Sequence, residues 1–154
     1  MPEKATIEAA KQDEREGKSP STQAGEFVHE EIEHIREGKH GARSTKQAIA
    51  IGLSKARRAG VKLAPPEKGK ASEETREQAK RDTKKGHGGS KRKVSATRSR
   101  ATSRALKREG HSAASKKALS QQARRAASKR SAASRSRSAK KAAATRKRQE
   151  TKSA

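Results

Sequence analysis

The sequence has no cysteine, tryptophan or tyrosine, and Phe27 is the only phenylalanine among its 154 residues. Without cysteine the chain cannot form disulfides or thiolate metal sites. Hydrophobic residues make up 27% and aromatic residues 1% of the chain, which is too little for a large hydrophobic core. This composition is typical of disordered or nucleic-acid-associated proteins.

Long hydrophobic runs are missing as well. The longest apolar run covers only residues 48–53, and residues 1–4 hold no apolar stretch of the kind that a signal peptide requires. A membrane-spanning helix needs about 20 consecutive, mostly apolar residues. We therefore expect no membrane insertion and a cytoplasmic location.

Acidic residues are scarce in the second half of the chain. Residues 86–154 contain 22 Lys and Arg but only Glu109 and Glu150 as acids, so they carry +20 of the formal net charge of +24. A segment this polar and charged cannot bury enough apolar surface to offset its loss of chain entropy. The composition predicts a long basic tail rich in Ala, Ser, Lys and Arg, which is disordered alone or helical when bound, and a polyanion as its partner.

The large apolar residues that do occur are concentrated between positions 27 and 63. Phe27, Ile32 and Ile35 recur at helical spacing, and Ser44 with Gln47 is typical of a capping box that begins a second helix. The predicted fold is mainly α with extensive disorder and no β-sheet, built around a small helical hairpin. A homodimer through this hairpin is one way to complete so small a core.

Shifts in composition divide the chain into four predicted segments. The hairpin is flanked by a polar arm and by a charged linker in which residues 72–85 are predicted as a solvated helix without an apolar stripe. The segments are a partly helical N-terminal arm at 1–24, the hairpin core at 25–66, the charged linker at 67–90 and the basic low-complexity tail at 91–154.

Basic doublets and triplets recur along the tail at intervals that suit a phosphate backbone better than one pocket. The predicted nucleic-acid-binding residues in the tail are Lys91, Arg92, Lys93, Lys107, Arg108, Lys116, Lys117, Arg124, Arg125, Lys129, Arg130, Lys140, Lys141, Arg146, Lys147 and Arg148. A secondary patch is predicted in the hairpin, at Arg43, Lys46, Arg57 and Arg58.

Double-stranded DNA is the expected partner, because recognition of single strands usually depends on aromatic stacking and Phe27 is the only such residue. The predicted function is that of a histone-like, largely sequence-independent DNA-binding protein. Two alternatives are an RNA- or ribosome-associated basic protein and an adaptor. The adaptor would bind another protein through the hairpin residues Phe27, Ile32, Ile35, Ile49 and Leu53.

The hairpin also permits a helix-turn-helix interpretation, with Thr45, Lys46 and Gln47 near base edges. Such domains normally complete their core with a third helix, and no third helix with an apolar face is evident in the sequence. A structural or dimerising hairpin is therefore favoured over one that reads sequence.

No residues suggest catalysis, a cofactor or a metal. His29 and His34 frame a motif that resembles the zinc-protease signature, but they are five residues apart and so lie about 140° apart around a helix. Glu30 and His34 share a face, yet two ligands do not make a site. We expect an enzyme least of all, because the chain has too little core to hold catalytic groups in place.

Several runs resemble a family of short, basic bacterial proteins that are mostly uncharacterised. The run G-K-S-P-S-T-Q-A-G-E-F-V at residues 17–28 carries the resemblance, together with residues 36–54 and 56–61. The tail at residues 101–130 is similar to the tails of these proteins. Some members carry a label of plasmid stabilisation or DNA binding, so the resemblance implies a protein of the bacterial cytoplasm, at the nucleoid.

Overall fold

The computed structural model describes residues 1–88 and 95–153, and within these ranges it contains helices and no strand. A single isolated bridge joins Lys68 to Ala71. The chain divides into two compact units, unit 1 at residues 1–115 and unit 2 at residues 116–154. Along the chain the elements are α1 (Lys4–Arg15), α2 (Pro20–Arg36), α3 (Thr45–Arg58), α4 (Glu73–His87), α5 (Ala96–Lys107), a 3₁₀ turn (Ser112–Ala114), α6 (Lys116–Ser128) and α7 (Ala132–Ser153).

The helical class is confirmed, but the predicted extensive disorder and long basic tail are wrong. Three helices, α5, α6 and α7, occupy most of residues 95–153. Ala, Lys, Arg and Gln are strong helix formers, no proline interrupts them, and Ser131 begins α7 by accepting a hydrogen bond from the Ser134 backbone N–H at 3.2 Å. The disorder prediction was based on the lack of an apolar core and underestimated this local preference for helix.

The predicted hairpin corresponds to α2 and α3, and local signals set its ends. Pro20 begins α2 five residues before the predicted start at Gly25, because proline suits the first helical position. The Ser44 hydroxyl caps α3 by accepting from the Gln47 N–H at 3.2 Å, while Gln47 Oε1 accepts from the backbone of Arg43 at 2.8 Å. The Gln47 side chain thus reaches one residue further back than a standard capping box requires.

The core of unit 1 is larger than a two-helix hairpin. Ala10 of α1 is buried in one cluster with Phe27 of α2 and Ala56 of α3, and Ile7 packs against that cluster. A Cβ on Gly52 would lie 2.6 Å from Val28 Cα, so α2 and α3 approach closely there. The N-terminal arm is therefore a packed helix, and it covers apolar surface that the hairpin alone would expose.

Helix α4 is not the solvated spacer that its sequence suggests. Ala79 and Asp82 are buried, and a Cβ on Gly86 would overlap the carbonyl oxygen of Arg57. Asp82 Oδ2 accepts from the Ser54 hydroxyl at 2.6 Å, and Oδ1 accepts from Arg58 Nε at 2.8 Å. A buried aspartate, a small residue and a glycine attach α4 to α3 without an apolar stripe.

A segment at residues 106–114 closes over the connection between α2 and α3. Gly41 N–H donates to the carbonyl of Leu106 at 2.9 Å, and Ala42 N–H donates to Gly110 at 3.0 Å. The Thr45 hydroxyl donates to the carbonyl of Ala113 at 2.7 Å. The start of the basic region is thereby part of unit 1.

No helix in the described part of the chain is long and apolar enough to cross a membrane.

Candidate nucleic-acid interface

The strongest cationic surface of the chain lies on the two helices of unit 2. Residues 116–154 contain 14 Lys and Arg and one acid, Glu150. Within residues 116–151 no ion pair is present. The exposed cations in that range are Lys116, Lys117, Arg124, Arg125, Lys129, Arg130, Arg135, Arg137, Lys140, Lys141, Arg146, Lys147 and Arg148.

Helix α6 carries two of its cations on the side away from its apolar residues. Helical spacing places Leu119, Ala123 and Ala126 along one side, and Leu119 is partly buried. Lys117 and Arg124 are seven residues apart and lie on a different side, where both are exposed. Lys117 and Arg124 therefore form a row along one side of α6, which is the arrangement that a phosphate backbone can meet along its length.

Helix α7 distributes its cations around the whole axis. Its 22 residues span about 33 Å, and its Lys and Arg at positions 135–148 do not share one face. Duplex DNA carries one negative charge per about 1.7 Å of axis, so a helix of this length lies alongside roughly 20 phosphate charges. Such an all-round charge attracts a polyanion without selecting one orientation.

The turn between α6 and α7 is held by arginine contacts. Arg130 Nη2 donates to the Ser134 carbonyl at 3.0 Å and also contacts the Ser138 hydroxyl. Arg135 Nη1 donates to the Ala127 carbonyl at 3.2 Å. Both guanidinium groups remain exposed and keep further N–H donors for a phosphate.

Helix α5 adds cations that a search for basic doublets does not find. Arg98, Arg100 and Arg104 are exposed on it, ahead of the predicted pair Lys107 and Arg108, which is also exposed. Arg135 and Arg137 in α7 were missed for the same reason. Alternating cations within a proline-free, alanine-rich run are the signal that would have found all five. The predicted residues Lys91, Arg92 and Lys93 lie outside the described residues.

The structure buries one of the four residues of the secondary patch predicted in the hairpin. Arg43 and Lys46 are exposed, but Arg57 is buried and donates from Nε and Nη2 to the carbonyls of Leu63 and Ala64 at 3.3 and 3.2 Å. Burial lowers the pKa of Arg57. Arg58 is exposed and pairs through Nε with the buried Asp82. Arg57 thus serves the packing of unit 1, and Arg58 joins α3 to α4 from the surface.

Other charges of unit 1 are likewise directed inward. Lys55 Nζ lies 3.0 Å from Glu30 Oε1 and 2.7 Å from Glu31 Oε2, and both carboxylates are buried. Burial disfavours the charged form of Lys55, but the two carboxylates outweigh it and raise the pKa of that ammonium. Burial also acts to raise the pKa of Glu30, yet hydrogen bonds from Thr6, the Glu3 backbone and Lys55 lower it overall.

Base stacking and base reading find little support in unit 1. Phe27 is 1% exposed, so the only aromatic ring apart from histidine cannot stack on a base. Thr45, at the start of the helix that would enter a groove, is buried beneath the 106–114 segment. Lys46 remains exposed beside it.

Residues 15–69 match a family of unknown function, DUF6496. The matched part includes α2 and α3 and ends before α4 begins. No curated protein and no solved structure matches the chain. The DUF6496 match therefore covers the hairpin and leaves the cationic helices outside it.

Proposed function

We propose that this protein binds double-stranded DNA with little sequence preference, through phosphate contacts from its cationic helices α5, α6 and α7. One observation carries the proposal. The cations of residues 116–151 are exposed and form no ion pair there, whereas in unit 1 buried carboxylates engage Lys55 and Arg58. Cations at high density without neighbouring acids attract a polyanion and gain free energy by releasing its counterions.

Duplex DNA is preferred over single-stranded nucleic acid because the chain offers no aromatic platform. Single-strand binders stack bases on aromatic side chains, and here Phe27 is enclosed in the core. Duplex backbones need no such platform. Because duplex DNA is the proposed partner, we also propose a location at the bacterial nucleoid.

The adaptor alternative is disfavoured by the burial of the hairpin. Phe27, Ile32 and Ile35 are buried, and Ile49 and Leu53 are partly buried. Across the described ranges Met1 is the only exposed large hydrophobic residue. The same burial removes the reason for a dimer through the hairpin, while an RNA partner remains as an outcome of the test.

The test is a salt titration of binding, measured by fluorescence anisotropy with the full chain and a labelled DNA duplex. We expect the variant Lys117→Gln, Arg124→Gln, Arg125→Gln to make the slope of log K against log salt less steep by about 2 to 3, because each lost phosphate contact removes about 0.9. The matched control is Lys62→Gln, Lys68→Gln, Lys70→Gln, which removes the same charge from exposed sites of unit 1.

Equal slopes for the two triple variants and the wild type would show that α6 does not contact phosphates. Competition at fixed salt decides the class of nucleic acid. If structured RNA displaces labelled duplex DNA at lower concentration than unlabelled duplex DNA does, the RNA alternative replaces the proposal. If the protein reads sequence, duplexes of equal length and different sequence will bind with different affinities at the same salt concentration. That result would contradict the proposed lack of sequence preference.

A further inference from the structure

Three side chains of metal-ligand type converge at the C-terminal end of α2. Glu31 and His34 belong to α2 and are three residues apart, so they share one face. His40 lies in the connection that leads to α3. One ligand atom from each of Glu31, His34 and His40 lies within 4.8 Å of the other two.

Glu31 is a fully buried carboxylate whose two oxygens have different surroundings. Its Oε2 forms an ion pair with Lys55 Nζ at 2.7 Å. Its Oε1 accepts no hydrogen bond and lies 3.3 Å from His40 Nε2. A buried carboxylate oxygen is costly to leave without a partner, so Oε1 is the atom at which a further cation would be stabilised.

Each of the two imidazoles donates a hydrogen bond from one ring nitrogen, so a neutral ring has a lone pair on its other nitrogen. His40 Nδ1 is 3.1 Å from the carbonyl oxygen of Gly41, and because a carbonyl only accepts, Nδ1 donates. His34 Nε2 is 2.9 Å from Glu3 Oε1 and donates to that carboxylate in the same way. Metal-binding histidines are typically held like this, with the second ring nitrogen bound to a carbonyl or carboxylate.

This orientation leaves His40 Nε2 and Glu31 Oε1 facing each other as two acceptors, 3.3 Å apart. Two acceptors at this distance repel each other unless a proton or a metal cation lies between them. In a tetrahedral Zn²⁺ site with ligand bonds of about 2.0–2.1 Å, two ligand atoms are separated by about 3.3–3.4 Å. The observed separation of this pair matches that of two ligands of one ion, and a ligand atom of His34 lies within 4.8 Å of the other two ligand atoms.

The charge of the surroundings also fits a divalent cation. Lys39 Nζ lies 2.9 Å from Glu37 Oε2 and 3.3 Å from Glu3 Oε1. Lys55 contacts the carboxylates of Glu30 and Glu31. With neutral imidazoles, these ionised groups sum to a formal charge of −2. They are the carboxylates of Glu3, Glu30, Glu31 and Glu37 and the ammonium groups of Lys39 and Lys55.

We propose that Glu31, His34 and His40 bind Zn²⁺. Two imidazoles and a carboxylate form a donor set that this ion takes in proteins. The bound ion would join α2 to the connection before α3, next to Gly41, whose N–H holds the 106–114 segment. The ion would stabilise the attachment of the 106–114 segment at the C-terminal end of the cationic helix α5. This role is independent of the proposed DNA contacts.

The experiment uses the full chain after treatment with a chelator. Co²⁺ replaces Zn²⁺ as a visible probe, and we expect one ion per chain with the absorption of a tetrahedral site. His34→Gln and His40→Gln should each abolish this signal. His29→Gln is the matched control, because His29 lies on the same helix with an exposed side chain and should leave the signal unchanged. Glu3→Ala, which removes the acceptor that holds His34, should weaken binding about 10- to 100-fold.

Zn²⁺ should also raise the temperature of thermal unfolding of the wild type and of His29→Gln, but not of His40→Gln. Circular dichroism checks that each variant is folded. Should a variant fail to fold, the imidazole NMR signals of the wild type decide, since Zn²⁺ must shift those of His34 and His40 and not that of His29. The absence of saturable Co²⁺ binding, or unchanged binding by His40→Gln, would overturn the site.

Discussion

In residues 1–115, 27 Lys and Arg are accompanied by 16 Asp and Glu, whereas residues 116–154 hold 14 Lys and Arg and a single acid. The first unit pairs part of its charge internally, as in the contacts of Lys55 with the buried Glu31 and of the exposed Arg58 with the buried Asp82. The second unit has no buried residue among residues 116–151. The same cation types therefore stabilise packing in one unit and remain open to an outside partner in the other.

The two units also differ in what holds their helices. Unit 1 has a cluster of buried apolar residues around Phe27, and its helices meet through close contacts at Gly52 and Gly86. The helices of unit 2 depend on helix propensity, on the cap at Ser131 and on arginine contacts at their turn. Unit 1 should consequently unfold cooperatively, and unit 2 should respond gradually to temperature and salt.

The largest effect that separates the units is expected from the loss of a core side chain. Phe27→Ala should lower the free energy of unfolding of unit 1 by about 3–5 kcal/mol, because it empties a fully buried site. Leu119→Ala in α6 is the matched change in unit 2, where the side chain is only partly buried and little should be lost. Urea unfolding followed by circular dichroism measures both. Equal losses at the two sites would show that unit 2 has a core of its own.

A smaller effect is expected from two glycines of α2 and α3. Gly52→Ala should destabilise unit 1 by about 1–3 kcal/mol, because its Cβ would lie 2.6 Å from Val28 Cα and force the helices apart. Gly25→Ala meets nothing within 4 Å and should instead stabilise α2 by about 0.5–1 kcal/mol through its better helix propensity. Thermal unfolding of both variants gives the sign of each change. A stabilising Gly52→Ala would contradict the close packing of α2 on α3.

The smallest effect is a difference in the response to salt. Added salt should increase the helix content of residues 116–151, because it screens repulsion between neighbouring cations, and should slightly weaken the exposed ion pairs of unit 1 such as Arg36 with Glu33. Backbone chemical shifts of the full chain at low and high salt report each unit separately. A loss of helix in unit 2 on adding salt would mean that attractive contacts between charges stabilise its helices.

Local signals allowed much of the helical pattern to be predicted. Ser44 caps α3 as predicted, Ser72 caps α4 at the first residue of the helix predicted for 72–85, and Gly60 has a φ of +98° at the end of α3. Each of these features depends on residues within a few positions of one another. The disorder predicted for the basic tail failed over residues 95–153, because composition measures the lack of a core, whereas a helix can form on local preference alone.

The candidate sites were predictable to different degrees. The cations of unit 2 are evident from residue counts, and an exposed position needs no particular neighbour. The proposed Zn²⁺ site was not predictable, because in the sequence the motif at residues 29–34 suggests His29, and not His40, as the partner of His34. The structure instead brings His34 to His40 across a turn at Gly38, where φ is +75°.

By itself the sequence determined the helix-forming stretches, the caps and the separation of a charge-balanced region from a strongly basic one, because these properties depend on residue type and on near neighbours. Only the tertiary structure decided that α4 packs on α3, that residues 106–114 cover the α2–α3 connection and that Arg57 is buried. Those contacts rest on backbone hydrogen bonds, close approaches at glycine and buried charges. None of them leaves a periodic pattern of side chains, so their partners become known only when the chain is folded.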